Sequence, residues 1–298
     1  MTELEITEFG TIDIEQRHPQ RRVTTMSQPE SPTTLSTAPR SSTKNRTTPA
    51  LQVQQVSVVV PVFNERDCVS ALMCSLVDLD VQLNGQCRLE FILVDDGSSD
   101  GTAEMLRDAT EERSNFQLVR HEKNRGIAAA IHTGIRHARH EVVVSIDADG
   151  SYDAMLIEEM LPLLTPEVAL VTASPYHPLG AVENVPWWRL WLSQRASALY
   201  RLVMRTKLAC YTSCFRVYRR SKILDLEPEN AGFVGVAELL WKVDRQGLQI
   251  VEHPAVLRTR IAGYSKMRIF RSSLRHLHLI TQVARDRIGQ RLSATSEK

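Results

Sequence analysis

Two aspartates separated by one residue are the side chains in this chain most able to do chemistry. Asp147 and Asp149 follow the apolar, mostly β-branched run at residues 142–146. Carboxylates at the end of such a strand can supply hard oxygen ligands to a divalent cation. Ligands of open α/β sheets bind at that edge. The same spacing also occurs in turns and helix caps, so the pair alone leaves both interpretations open.

Two further loops carry polar side chains directly after apolar runs. The run at residues 56–62 is followed by Phe-Asn-Glu at 63–65, and the run at 89–94 is followed by an acidic, glycine-rich segment at 95–102. Carboxylates there can bond ribose hydroxyls or a base edge, while glycines let backbone amides approach a phosphate. Segment 95–102 alone could equally be a turn with a helix N-cap. Three such loops at successive strand ends favour a nucleotide site.

The alternation of apolar runs and helical patterns predicts a mostly parallel α/β sheet with flanking helices. Strands are predicted at residues 56–62, 89–94, 116–120, 141–146, 168–173 and 249–252. Helices are predicted at about 67–79, 103–113, 128–138, 155–164, 187–208, 236–246 and 270–292. Residues 210–220 are predicted to be a connection. Right-handed crossovers between the strands would bring the three polar loops to one edge of the sheet.

The N-terminal segment differs from the rest of the chain in composition. Between Thr24 and Ala50, 17 of 27 residues are Ser, Thr or Pro. Such a segment cannot bury enough apolar surface to offset its ordering entropy, so residues 1–52 are predicted to be a disordered tail. Its acid-rich start has no apolar core of a secretory signal, and the five cysteines have no C-x-x-C spacing. A cytoplasmic protein without disulfides or a zinc site is therefore expected.

Positive charge is concentrated in the C-terminal half, although the net charge is only +1. Residues 184–222 contain nine Lys or Arg and no Asp or Glu, and residues 258–298 contain ten against two. This pattern indicates an anionic partner, either a phosphate-bearing substrate or a membrane surface, or else an ordinary solvated basic face. No apolar run reaches the roughly 18 residues of a transmembrane helix. No nucleic-acid partner is expected.

Two helical segments in this half are amphipathic and basic. The helix predicted at 187–208 mixes three tryptophans with arginines, which suits a lipid headgroup interface but also packing on the sheet. Residues 269–298 are predicted to form a basic amphipathic C-terminal helix. One stripe of this helix is predicted to face the core; it consists of Phe270, Leu274, Leu277, Thr281, Ala284 and Ile288.

In this order the motifs resemble family 2 glycosyltransferases of the GT-A fold. The resemblance rests on Val58 to Glu65, Val94 to Thr102, Asn124 to Gly126 and Asp147 to Asp149. It implies a GT-A domain over residues 53–268, with a nucleotide-sugar-binding part at 53–153 and an acceptor part at 154–268.

The residues that the resemblance places at a nucleotide-sugar donor lie in the polar loops. They are Pro61, Phe63, Asn64, Glu65, Asp95, Asp96, Gly126, Asp147, Ala148 and Asp149. Of these, Asp147 and Asp149 are implied to hold Mg²⁺ or Mn²⁺ against the diphosphate. Ser151 could add an oxygen ligand or position a metal-bound water.

Downstream segments resemble a narrower group, the polyprenyl-phosphate sugar transferases. They are Ser213 to Arg220, Gly232-Phe233, Glu238, Glu252 to Pro254 and Arg260 to Lys266. This resemblance implies phosphate binding by Arg260, Ser265 and Lys266, and by Arg216 at the acceptor. The chain has Ala209 to Cys214 where members of this group commonly carry an aspartate.

The sequence thus predicts an inverting, metal-dependent transfer of a mannose- or glucose-type hexose to a polyprenyl phosphate, at the cytosolic face of a membrane. Such a phosphate, with a second pKa of about 6, is ionised at neutral pH and needs no general base. A hydroxyl acceptor on a glycan or small molecule would need one, and Glu238 is the candidate, although it could equally pair with a nearby arginine. A silent relative that binds nucleotide-sugar or anchors a partner is the non-enzyme alternative.

Overall fold

Nine strands and eight α-helices are found in the part of the chain that the computed structural model describes, residues 54–260 and 269–296. The strands are β1 (Gln54–Val62), β2 (Cys87–Asp95), β3 (Phe116–Arg120), β4 (Val142–Ser145), β5 (Val168–Ser174), β6 (Ala181–Val182), β7 (Arg216–Arg219), β8 (Gln249–Pro254) and β9 (Val256–Leu257). The helices are α1 (Val69–Gln82), α2 (Thr102–Thr110), α3 (Ile127–His137), α4 (Leu156–Met160), α5 (Trp187–Val203), α6 (Arg220–Ile223), α7 (Gly232–Arg245) and α8 (Ile269–Ser296).

Seven strands form one sheet in the order β3-β2-β1-β4-β7-β5-β8, and β6 pairs with β9 in a separate ribbon. Helices cover both faces of the sheet. In β1, Val58 and Val60 pack with Leu76 of α1 on one face, while Val59 packs with Ile131 of α3 on the other. A run buried on both faces explains why β1 is continuously apolar instead of alternating. The predicted GT-A-like arrangement of a mostly parallel sheet with flanking helices is confirmed.

One strand of the sheet lies where only a connection is predicted. Strand β7 runs antiparallel between β4 and β5, within the stretch 210–220. Its sequence, Arg-Val-Tyr-Arg, is too short and too polar to give a strand signal, yet Val217 and Tyr218 are fully buried. The cost of burying a guanidinium is reduced because Arg216 donates hydrogen bonds to two backbone carbonyls.

Helix α5 ends at Val203, five residues before the predicted end. Asp244 of α7 accepts hydrogen bonds from the N–H groups of Arg205 and Thr206, both at 2.8 Å, and so diverts them from the helix. The guanidinium of Arg287 on α8 donates to the carbonyls of residues 202, 203 and 204. These bonds satisfy groups that a helix end would otherwise leave without partners.

The prediction for the buried stripe of α8 is wrong. Leu279, Ile280 and Val283 are buried, whereas Leu274 is 62% exposed and Ile288 is 59% exposed. The helix packs against both α5 and α7. The contact with these two helices buries the side of α8 that carries Leu279, Ile280 and Val283. Leu274, Leu277 and Ile288 of the predicted stripe are therefore exposed instead of buried.

None of the helices in residues 54–260 and 269–296 is both long and apolar enough to cross a membrane. The predicted tail at 1–52 lies outside the described residues. The predicted domain bounds at 53, 153 and 268 stay predictions.

Candidate active site

The carboxyl ends of β1, β2 and β4 meet at one edge of the sheet. Val62 at the end of β1 is in register with Asp95 at the end of β2, and Val59 is in register with Ser145 of β4. The three polar loops leave these strand ends. The parallel topology therefore brings together residues that are more than 80 positions apart in sequence.

Asn64 joins the loops that follow β1 and β2. Its backbone N–H donates to Ser98 Oγ at 2.8 Å, and its side-chain Oδ1 accepts from the N–H of Ser99 at 2.8 Å. Its φ of 51° lies in the left-handed region, which asparagine tolerates better than most residues. Asn64 thus supports the loops and does not line the cavity between them.

A first cavity of about 400 Å³ opens at this edge. Nine of the predicted site residues line it: Pro61, Phe63, Glu65, Asp96, Gly126, Asp147, Ala148, Asp149 and Arg260. The beginnings of α3 and α7 supply further wall residues, and so does α8 through Ser272 and Arg275.

The two neighbouring aspartates at the end of β2 have different surroundings. Asp95 is fully buried, accepts a hydrogen bond from the Ser98 N–H at 3.1 Å and forms an ion pair with Arg120 Nε at 3.1 Å. It is not part of the first cavity. Of these two aspartates, both of which are predicted at the nucleotide-sugar donor, only Asp96 lines the first cavity.

Asp96 anchors the turn that closes one side of the first cavity. Its carboxylate accepts hydrogen bonds from the N–H groups of Arg125 at 2.8 Å and Gly126 at 2.7 Å, and lies 2.7 Å from His121 Nδ1. Gly126 has a φ of 92°, and an added Cβ would lie 2.7 Å from the backbone nitrogen of Gly232. Only glycine fits between the starts of α3 and α7 here.

Asp147, Asp149 and Arg260 form the charged centre of the cleft. Arg260 Nε lies 2.9 Å from Asp149 Oδ2, and Arg260 Nη1 lies 3.6 Å from Glu65 Oε1. Burial raises the pKa of Asp147 to about 7, and the negative charge of Asp149 adds to that effect. Arg260 and a hydrogen bond from the Cys214 thiol partly oppose it.

The oxygen atoms at this centre fit a divalent cation. The raised pKa of Asp147, caused by burial and by the carboxylate of Asp149, indicates a site short of positive charge, and a bound cation would favour the ionised form. Among the described residues, no group of three or more His, Cys, Asp or Glu could hold a metal. A pair of carboxylates open to a cavity suits Mg²⁺ or Mn²⁺, since Mg²⁺ binds through one or two carboxylates together with substrate phosphates.

A second cavity of about 580 Å³ adjoins the first. The two share Asp147, Asp149, Phe233, Arg260 and Ser272. Apolar side chains of α5 and α8 form much of the second wall: Leu190, Leu192, Ala196, Leu199, Leu277 and Ile280. Leu199 is 41% exposed and Leu277 is 52% exposed, so the cavity reaches the protein surface between the two helices.

The charged side chains that line the second cavity are mostly cationic. Apart from the shared aspartates, its lining contains no acidic residue but includes Arg189, Arg195 and Arg258. Burial lowers the pKa of Arg189, and the nearby charge of Arg260 adds to the effect, while Asp149 opposes it. Arg189 and Arg260 both line this cavity, so it presents at least two cations to a ligand.

Ser151 lines the second cavity but not the first. Its N–H donates to Asp149 Oδ1 at 3.0 Å, and its carbonyl accepts from the Arg258 N–H at 2.8 Å. These bonds tie the aspartate loop to the segment that carries Arg260. Ser265 and Lys266, both predicted at phosphate groups, lie outside the described residues.

Arg216 does not occupy the predicted place at an acceptor phosphate. Its side chain is fully buried and donates to the carbonyls of Val236 at 2.7 Å and Tyr211 at 2.9 Å. It lines neither cavity. Arg216 thus braces the backbone behind the second cavity.

Glu238, the predicted candidate base, is also part of the scaffold. Its carboxylate accepts hydrogen bonds from the N–H groups of Glu229 and Asn230 and pairs with Lys242 Nζ at 2.9 Å. Burial favours the neutral form, but these hydrogen bonds outweigh it and lower the pKa of Glu238. The residue lines neither cavity, so it holds the loop before α7 instead of facing an acceptor.

Several cavity residues were not singled out as site residues from the sequence. Arg189, Phe233, Ser272 and Arg275 come from helices that are distant in the chain from the aspartates. The excess of positive charge in the C-terminal half indicates an anionic partner, but it does not show which arginines face inwards.

Comparison with known proteins agrees with this architecture. Residues 57–226, more than half of the chain, match the model of the family described as glycosyl transferase family 2. The chain is 28% identical over 223 residues to a polyprenol monophosphomannose synthase of Mycolicibacterium smegmatis, covering 72% of this chain and 81% of that protein. It is also 28% identical over 229 residues to a dolichol-phosphate mannosyltransferase of Pyrococcus furiosus, covering 75% of this chain and 63% of that protein.

A solved structure with the same fold is the glucosyl-3-phosphoglycerate synthase of Mycobacterium tuberculosis, in complex with Mn²⁺, uridine diphosphate and phosphoglyceric acid. The two share a TM-score of 0.56 and 21% sequence identity, and the match covers 78% of each chain. The sheet order, the polar strand ends and the match over residues 57–226 lead to one conclusion. The chain belongs to glycosyl transferase family 2 and is a glycosyltransferase.

Proposed function

We propose that this glycosyltransferase moves a mannose- or glucose-type hexose from a nucleotide-diphosphate sugar to a polyprenyl phosphate, with inversion at the anomeric carbon. One observation carries the proposal. The two cavities share Asp147, Asp149 and Arg260, so a donor in the first and an acceptor in the second would meet at this charged centre.

In this proposal the first cavity binds the donor. Glu65 and Asp96 line this cavity and would bind the nucleoside, and Asp147 and Asp149 would hold Mg²⁺ or Mn²⁺ at the diphosphate. Such a cation, when bound, stabilises the negative charge that builds on the leaving group. Arg260 adds a fixed positive charge at the same place, which stabilises that charge further.

The second cavity would bind the acceptor. Arg189 and Arg258 provide cations for a phosphate head, and the apolar side chains of α5 and α8 provide a surface for a prenyl chain. An ionised phosphate attacks without a general base, which agrees with the absence of Glu238 from the lining. Attack from the second cavity on a sugar held in the first gives a single displacement and hence inversion.

The names of the two curated relatives also support a lipid phosphate acceptor, because one is a polyprenol monophosphomannose synthase and the other a dolichol-phosphate mannosyltransferase.

We also propose that the outer face of α5 and α8 rests on an anionic membrane surface. Trp187 is 77% exposed, Leu202 is 74% exposed and Leu274 is 62% exposed. Arginines lie between them on both helices, and Arg195 stacks over Trp191 at 5.3 Å. Exposed aromatic and apolar side chains next to arginines suit the headgroup region of a bilayer. A polyprenyl phosphate could then enter the second cavity from the membrane.

The proposal is tested in two steps with the full-length protein. A thermal-shift screen of nucleoside diphosphates and nucleotide-sugars with Mn²⁺ first identifies the donor, because a ligand that binds the native state raises Tm. The protein is then incubated with that labelled donor, Mn²⁺ and polyprenyl phosphate in phosphatidylglycerol-containing vesicles. We expect the label in the organic phase, and its loss in the presence of a chelator.

Two other results would replace the proposal. Labelled product that forms only with a water-soluble hydroxyl acceptor would assign the glycan or small-molecule alternative. Donor binding without any transfer or hydrolysis would assign the silent, nucleotide-sugar-binding alternative.

A further inference from the structure

Helix α8 contributes to both cavities, although it lies beyond residues 57–226, which match the family model. Ser272 lines both cavities, Arg275 lines the first, and His276 and Leu277 line the second. Residues three and four positions apart share one side of a helix, so Ser272, Arg275 and His276 face the cleft together. The helix therefore spans the boundary between the two cavities.

Contacts with the body of the protein hold α8 in this place. Tyr200 Oη of α5 lies 2.9 Å from His276 Nδ1, and Arg245 of α7 forms an ion pair with Asp286 at 3.2 Å. Leu279 and Val283 are buried in the core. The position of Arg275 at the first cavity thus follows from the packing of the residues that come after it against α5, α7 and the core.

The acidic groups of the first cavity already have partners within the described chain. Glu65 and Asp149 pair with Arg260, and Asp96 binds His121 and two backbone amides. Arg275 is exposed and forms no ion pair with any residue in 54–260 or 269–296. It is therefore a cation at the cavity whose charge is not neutralised by the described part of the protein.

We propose that Arg275 is a further donor-binding residue, whose guanidinium contacts the diphosphate of the nucleotide-sugar in the first cavity. The proposal rests on the proposed function of the first cavity. The carboxylates of Asp147 and Asp149 offset the charge of a bound divalent cation, so the diphosphate requires further cations, and guanidinium groups bind phosphate oxygens through paired hydrogen bonds. Helix α8 would then form part of the donor site as well as a wall of the acceptor cavity.

The test measures nucleoside diphosphate binding by calorimetry in Mn²⁺, without an acceptor, for the full-length protein and for R275Q. We expect the Kd of the diphosphate to rise about tenfold in R275Q, since one charged hydrogen-bonding partner is lost. The matching nucleoside without phosphates should bind both proteins equally. The matched control is R285Q, because Arg285 is exposed on the same helix and lines neither cavity.

The possible outcomes separate the two proposals. If the unaltered protein binds no nucleoside diphosphate, the proposed function itself fails. If it binds the diphosphate and R275Q binds it equally well, the donor role of Arg275 is wrong. A rise in the KM for polyprenyl phosphate with unchanged diphosphate affinity would overturn it as well, and would assign Arg275 to the acceptor.

Discussion

The two halves of the candidate site are built in different ways. The first cavity lies at the ends of consecutive parallel strands, and hydrogen bonds through Asn64 and Asp96 fix its loops. The second lies between α5, α8 and the segments that follow β5 and β9, which come from distant parts of the chain. Its wall is apolar and basic instead of acidic. The donor half thus depends on polar groups that hydrogen bonds hold in place, whereas the acceptor half depends on an apolar and basic surface.

The largest effect is expected where the two halves meet. D149N removes a carboxylate that we assign to the cation and breaks the ion pair with Arg260. Turnover with donor, Mn²⁺ and polyprenyl phosphate should fall about a hundredfold to a thousandfold, because charge on the leaving group is no longer stabilised. Steady-state transfer assays measure this loss, and Tm should stay within a few degrees.

The matched control is D108N, because Asp108 is exposed on α2 and far in sequence from the aspartate loop. Equal turnover in D149N and the unaltered protein would show that the shared aspartates do not hold a catalytic cation.

A substitution in the second cavity should affect acceptor binding without affecting donor binding. R189Q removes a cation from the second cavity and leaves the first unchanged. The KM for polyprenyl phosphate should rise about tenfold to a hundredfold, while the KM for the donor stays the same. R201Q, an exposed arginine of the same helix that lines neither cavity, is the control. An increase in the donor KM instead would mean that the second cavity is not a separate acceptor site.

The outer face of α5 and α8 should affect membrane binding more than chemistry. W187S removes a side chain that is 77% exposed at the start of α5, the helix that forms part of the wall of the second cavity. Co-sedimentation with anionic vesicles should fall about fivefold, since the mutation removes apolar area from the headgroup region.

Activity on a short-chain, water-soluble polyprenyl phosphate analogue should remain unchanged in W187S. V81S, at a 70% exposed valine of α1, should bind vesicles normally. Equal losses in both variants would argue against this face as the membrane surface.

The smallest change in activity is expected for E238Q, because Glu238 supports a loop and faces neither cavity. Its hydrogen bonds lower its pKa in the folded state, so its contribution to stability is present at neutral pH and is lost as pH falls through the folded pKa. Denaturant unfolding at pH 7 should show a loss of about 1–2 kcal/mol in E238Q. The two proteins should become equal in stability in strong acid.

The control is E112Q, an exposed glutamate that should not alter stability. A large fall in kcat of E238Q with unchanged stability would instead support a role as general base.

The donor half could be predicted from the sequence because it depends on short-range patterns. Apolar runs that end in polar residues specify both the strands and the loops after them, and the parallel topology brings those loops together. Of the nine predicted residues that line the first cavity, seven lie at or just after the ends of β1, β2 and β4, whereas Gly126 and Arg260 were implied by the family resemblance. The sequence did not show that Asp95 and Asn64 support the loops while their neighbours line the cavity. That difference depends on tertiary contacts, such as those of Asp95 with Arg120 and of Asn64 with Ser99.

For the acceptor half, the sequence predicted the basic composition but not which residues line the cavity. The excess of arginine indicated an anionic partner, but tertiary packing decides which side chains face inwards. Arg216 and Glu238 carry the residue types of a site and are fixed in the scaffold by backbone groups. The buried face of α8 is set by α5 and α7, so periodicity alone selected the wrong stripe.

The central claim is that the shared aspartates and Arg260 join a donor cavity to a lipid phosphate cavity. A single-turnover experiment tests it most directly: the full-length protein is loaded with labelled nucleotide-sugar and Mn²⁺ and then mixed with vesicles containing polyprenyl phosphate. We predict one burst of lipid-linked sugar whose anomeric configuration is opposite to that of the donor. Lipid-linked sugar with retained configuration, or label released only as free sugar, would contradict the claim.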